Sequence, residues 1–134
     1  MKHIALKGRA YPTDLNPAGS VFGGWIMAKM DKAASIAVED IVNSGAVTVS
    51  VADLHFLKPV RNGDIFTIYT EIVKIGNSSI EINVGVMVRC RESHEEYRVT
   101  EAVFTFVTVG DKGKAVNVRS VIRDDISEDI QKLL

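Results

Sequence analysis

The 134-residue sequence predicts a single α+β domain in which one long helix lies across an antiparallel sheet of about five strands. Three observations lead there. From about Gly24 to Asn43 apolar residues recur with the period of a helix; after Gly45 the period falls to 2 and holds for about sixty residues; and the breaks within that stretch are short.

The elements follow in chain order. Met1 to Ala10 supplies a short first strand. Tyr11 to Gly24 reads as an ordered loop, because Pro12, Asn16, Pro17, Gly19, Gly23 and Gly24 repeatedly interrupt regular structure. In the helix, Ile26, Met27, Met30, Ala34, Ala37, Val38, Ile41 and Val42 gather on one broad arc, and Asn43-Ser44-Gly45 stops it. Val47, Val49 and Val51 then alternate with Thr48 and Ser50; Phe66, Ile68 and Ile72 mark the next strand. Ile80, Ile82, Val84, Val86 and Val88 mark a third, and the last runs from about Tyr97 to Val109. Breaks at Pro59–Asp64, Gly76–Ser79 and Arg91–Glu96 suggest that neighbouring strands form antiparallel hairpins. Residues 110–134 read as a tail, with a turn at Asp111–Lys114 and a short helix from Asp124 to Leu134. The strands carry apolar residues on more than one face and a sheet edge stays uncovered, so a homodimer is expected.

Composition removes several function classes. Sixteen Lys and Arg against 17 Asp and Glu give a net charge of −1, so there is no global attraction for nucleic acid or anionic membranes. The single cysteine, Cys90, cannot form an internal disulfide. The first residues lack the apolar core of a signal peptide, and no apolar run is long enough to span a membrane, so a cytoplasmic location without membrane insertion is expected. His3, His55 and His94 have no metal-binding spacing, and no nucleophile elbow, phosphate loop or dinucleotide fingerprint is present. No metal and no cofactor are expected.

Asp31 is the most informative residue. On a helical wheel it falls about 40° from Met27 and about 20° from Val38 and Val42, within the margin of the apolar arc. A carboxylate there is partly desolvated, which makes it a better base; the alternative is an edge residue bonding a backbone amide or Lys58. Gly23 and Gly24 stand just before the helix, where free N–H groups can meet an oxyanion, though Gly-Gly also marks any sharp turn. A base and an oxyanion site on one helix would lie about 10 Å apart along its axis, too far for attack on one carbonyl unless the chain folds back. Asn16 carries an amide able to orient water or a carbonyl, but before Pro17 it reads more readily as a turn-former. Cys90, between Arg89 and Arg91, reads as a small half-buried hydrophobe before a reactive thiol.

Taken together, Asn16-x-x-Gly19-x-x-Phe22-Gly23-Gly24-Trp25-Ile26-Met27-x-x-Met30-Asp31, Val47-Thr48-Val49, Phe56-Leu57-Lys58-Pro59-Val60-x-x-Gly63-Asp64, Gly76-x-Ser78-Ser79-Ile80 and Thr100-Glu101-Ala102-x-Phe104 resemble the YciA-type acyl-CoA thioesterases of the hotdog fold. The likeness runs in order to about Val109. It implies a long helix wrapped by an antiparallel sheet, a side-by-side dimer with a continuous sheet, and commonly a trimer of dimers. It implies hydrolysis of acyl-CoA, with Asp31 as base or nucleophile, Asn16 supplied by the facing subunit, and Thr48 placing the water or Asp31. The amides of Gly23 and Gly24 would meet the thioester oxygen. Phe56, Lys58, Pro59, Gly76, Ser78 and Ser79 would contact the CoA chain, with Lys58, Ser78 and Ser79 toward pantetheine and phosphate. Phe22, Trp25, Met27 and Met30 would form the acyl seam.

Two departures bear on loop shape and channel width: Leu15 replaces the threonine usual before the asparagine, and Lys32-Ala33-Ala34 follows the aspartate where an apolar residue and small glycines are common. The alternatives are a non-catalytic acyl-CoA-binding hotdog module, which could dispense with Asp31; a dehydratase or isomerase, which would need a histidine absent from the Asn16–Asp31 stretch; and a cystatin-like helix-on-sheet binder.

Overall fold

A computed structural model describes residues 2–13 and 15–134. Strand β1 (His3–Arg9) precedes helix α1 (Gly23–Glu39), followed by β2 (Gly45–Phe56), β3 (Ile65–Ile75), β4 (Ser79–Arg89), β5 (Glu96–Val109), and single-turn helices α2 (Val118–Val121) and α3 (Glu128–Gln131). The expected strand, helix and four-strand order is present; Met1 and the loop residue Asp14 lie outside the described residues. The expected tail helix over 124–134 is reduced to the one turn of α3, with Arg123 N–H instead bonding the Ile41 carbonyl at 2.8 Å.

One antiparallel sheet runs in the order β1-β3-β4-β5-β2. Two of the expected hairpins form, β3–β4 across 76–78 and β4–β5 across 90–95. The Pro59–Asp64 break is not a hairpin: β2 pairs with β5 and lies three places from β3 in the sheet. The crossover lets β2 close one side of the sheet around the helix, while β1 closes the other against β3.

Alternation sets which face meets α1. Phe66, Ile68, Ile80, Ile82, Val84, Val86, Val88, Phe104 and Phe106 are buried, their neighbours half-exposed. Ile26, Met30, Ala33, Ala34 and Val38 give the helix its matching stripe, and the two fully buried alanines let its axis approach the sheet closely. Met30 is thus core, and Trp25 packs edge-on against Phe66 at 5.6 Å between ring centroids. Of the expected acyl seam, Phe22 is thus exposed, Trp25 and Met27 are half-buried and Met30 is buried.

β2 is the exception to this burial. Val47 and Val49 are 48% and 56% exposed, and Phe56 and Leu57 are exposed beyond them. One edge of β2 bonds β5; the other is open.

Phe104 is completely buried at the centre of the sheet. Truncation by Phe104→Ala is expected to cost about 3–5 kcal/mol in a urea denaturation series, by transfer and cavity terms together.

Candidate active site

Helix α1 carries Asp31 to the margin of its buried stripe, where the side chain is half-buried. Thr48 of β2 pairs with Phe106, whose ring is in the core, so its hydroxyl faces the helix. That hydroxyl donates to Asp31 Oδ1 at 2.5 Å. The bond fixes the carboxylate rotamer and leaves Oδ2 without a hydrogen bond among the described residues.

The helix start forms a second cluster. Phe22 at the N-cap offers no side-chain cap, and the N–H groups of Gly23 and Gly24 are unbonded among the described residues. Free donors at the positive end of a 17-residue helix suit a developing negative charge. The two glycines differ. A Cβ on Gly23 would lie 2.9 Å from the Phe56 ring, so close packing requires glycine there. A Cβ on Gly24 would meet nothing within 4 Å. Among the described residues nothing demands its bareness.

Asn16 sits in the preceding loop, as a turn-former. Its Oδ1 accepts from Ala18 N–H and Ser20 N–H, both at 3.0 Å, and from the Ser20 hydroxyl at 3.2 Å. With the oxygen occupied, the amide orientation is set and Nδ2 remains as donor. Ser20 is nearly buried, and Val21 N–H bonds the Val60 carbonyl at 2.8 Å. The loop is thereby hung on the segment that follows β2. Asn16, Gly23, Phe56, Lys58, Pro59 and Val60 line one open cavity.

Sequence reasoning assigned no role to Asp64 or Tyr97, which hold that cavity's wall. Asp64, 3% exposed, accepts from Arg61 N–H and Arg91 N–H, each at 3.1 Å. The Tyr97 hydroxyl donates to the Pro59 carbonyl at 3.2 Å and reaches Asp64 Oδ2 at 3.5 Å. Burial first, then the negative charge of Asp64, raises the Tyr97 phenol above its ordinary range, so it remains a donor. The signal available was the pair Gly63-Asp64, where Gly63 has φ of +92° and Asp64 closes the turn with its N–H on the Arg61 carbonyl at 3.1 Å.

The chain does not unite every expected residue. Along β2, Thr48 lies in the row of Phe106 and Ile80, whereas Phe56 lies in the row of Thr100 and Val86. Asp31 and Gly23 are about 12 Å apart along the helix axis. The Gly76–Ser79 turn belongs to the other end of the sheet from the Asn16 cavity. There Ser78 offers its carbonyl to Thr108 N–H at 2.9 Å, and a Cβ on Gly76 would meet Ser79 Oγ at 2.5 Å. Gly76, Ser78 and Ser79 therefore sit nearer the Thr48 row, and apart from Lys58. The three histidines are scattered over β1, β2 and the β4–β5 turn, and among the described residues no group of three or more His, Cys, Asp or Glu is placed to hold a metal. Hydrogen bonds from the Ser93 side chain and from the amides of Ser93 and Glu92 lower the Cys90 thiol from its ordinary value.

Comparison with known proteins gives the family and the fold. A family model described as the thioesterase superfamily matches residues 18–91. The acyl-CoA thioester hydrolase YciA of Salmonella typhimurium is 40% identical over 114 residues, spanning 83% of this chain and 86% of that protein. A hexameric thioesterase from Yersinia pestis superposes with a TM-score of 0.81 at 43% identity, covering 87% of this chain and 94% of that one. A hexameric hotdog-fold thioesterase of Campylobacter jejuni gives 0.81 at 35% identity over 96% and 93%.

The contrast between the glycines is testable by thermal denaturation. Gly23→Ala is expected to lower stability by about 1–3 kcal/mol, because the Phe56 ring must move. Gly24→Ala is expected to stay within about 1 kcal/mol of the native protein, in the direction of greater stability.

Proposed function

The chain belongs to the thioesterase superfamily, and on that premise we propose that it is an acyl-CoA thioester hydrolase with the hotdog fold, using Asp31 of one protomer together with Asn16 of its partner. The reaction releases free CoA and a carboxylic acid. Asp31, through the unbonded Oδ2, removes a proton from water or attacks the carbonyl carbon itself. Thr48 holds the carboxylate in place. Charge on the thioester oxygen is met by Asn16 Nδ2 and by the N–H groups of Gly23 and Gly24. In the first case the carbon–sulfur bond of the water adduct breaks and the thiolate of CoA takes the proton held by Asp31; in the second, thiolate departure leaves a mixed anhydride on Asp31, which water hydrolyses to the free acid and the regenerated carboxylate, its proton passing to the thiolate.

The observation that carries this reading is the division of the site along β2. Asp31 and Thr48 belong to one half of the strand; Asn16, Gly23 and Lys58 gather at the other. Antiparallel pairing of the open β2 edge with its copy, about a two-fold axis near the middle of the strand, brings each half against the complementary half of the partner. Exposed Val47 and Val49 are then covered. The same operation makes two sites per dimer and a continuous sheet. Three such dimers make a hexamer, the number of subunits named for the Yersinia and Campylobacter thioesterases. The enzyme works in the cytoplasm. Within the described residues no helix is long and apolar enough to cross a membrane.

A non-catalytic acyl-CoA-binding module would have no need of a carboxylate held in one rotamer beside an open strand edge, so the Thr48–Asp31 bond favours catalysis.

Asp31→Asn, checked to be folded and oligomeric, is expected to lose about 10²- to 10⁴-fold in kcat toward a panel of acyl-CoAs, followed by thiol release. Hydrolysis at the native rate would overturn the assignment. Thr48→Val is expected to cost about tenfold, the value of one hydrogen bond to a charged group. Val49→Lys places a charge on the exposed β2 edge. It should sediment as a monomer and lose turnover together; an active monomer would contradict the shared site.

A further inference from the structure

Lys58 Nζ stands 5.2 Å from the centroid of the Tyr97 ring, within range of a cation–π contact. Both Lys58 and the Pro59 whose carbonyl accepts the Tyr97 hydroxyl line the Asn16 cavity. The same hydroxyl reaches Asp64, which bonds Arg61 N–H, and the next residue back, Val60, bonds Val21 of the Asn16 loop. One side chain thus touches the cation at the cavity mouth and the framework behind it.

We propose that Tyr97 is a substrate-positioning residue: its ring face holds the Lys58 ammonium at the cavity mouth, where that charge meets the phosphates of the CoA moiety. The inference rests on the reading of the site as an acyl-CoA site, and adds to it the group that separates CoA esters from thioesters lacking phosphate. A lysine on an exposed segment loses rotamer freedom when it meets an anion. An aromatic face that already holds the ammonium reduces that loss, and so favours the bound state. The hydroxyl has a separate task, to fix the 58–61 wall through Pro59 and Asp64.

The two tasks separate by chemistry at one position. The quantity to measure is the KM for the pantetheine thioester of an acyl group divided by the KM for its CoA ester. Tyr97→Phe keeps the ring face and drops the hydroxyl; it should lower the melting temperature and keep the ratio within about twofold of native. Pentafluorophenylalanine at position 97 has nearly the same shape with the ring quadrupole reversed. It should lower the ratio about fivefold relative to Tyr97→Phe, chiefly through KM, with kcat near that of Tyr97→Phe. Lys58→Met should lower the ratio at least as far, and in Lys58→Met the fluorinated ring should have no further effect.

Equal ratios for the fluorinated and plain rings would overturn the positioning role. A native ratio in Lys58→Met would overturn the phosphate contact on which it depends. Failure of the native protein to hydrolyse either thioester would instead overturn the assigned activity.

Discussion

The open edge of β2 is the constraint on which the rest of the molecule depends. A helix wrapped by a five-stranded sheet needs strands at both ends of the sheet to curl over it, and β2 does so by pairing with β5 across the crossover from β3. Among the described residues its other edge then has backbone donors and acceptors without strand partners, beside exposed Val47 and Val49. Thr48, on the helix-facing side of that same strand, ties Asp31 to it. The carboxylate is consequently held beside that open edge, where the proposed second protomer docks.

Much of this was legible from periodicity. The shift from a period of 3.6 to a period of 2 at Gly45 located α1 and the strands to within a few residues, because burial against one partner imposes it. The place of β2 in the sheet was not legible. A short break between two strands reads as a hairpin, and only the need to enclose a long helix sends β2 across to β5. The expected acyl seam lost Met30 to the core for a related reason: an apolar residue beside a catalytic-looking motif shows its hydrophobicity in the sequence, but not which way it faces.

The candidate site was legible in its parts and illegible in its assembly. Asp31 stood out by its angle on the helical wheel, and Gly24 by its position at the helix start. Asn16 served both readings at once: its carbonyl oxygen closes the turn, and closing the turn is what leaves its NH2 group free. Asp64, standing within a motif, and Tyr97, outside any, were given no role because their importance lies in contacts across the sheet end, at sequence separations of 27 and 38 residues. A wall built from such contacts stiffens a loop without leaving any motif.

The division of the site between two protomers is most directly tested by complementation. Asp31→Asn and Asn16→Ala chains, each inactive alone, are dissociated, mixed in equal amounts and reassembled. With each site drawing Asp31 from one chain and Asn16 from the other, half the dimers are hybrids with one intact site, and about a quarter of native activity returns. If the two residues act within a single chain, no intact site forms in any dimer. Activity would then stay at the level of the separate variants, and the shared site would be contradicted.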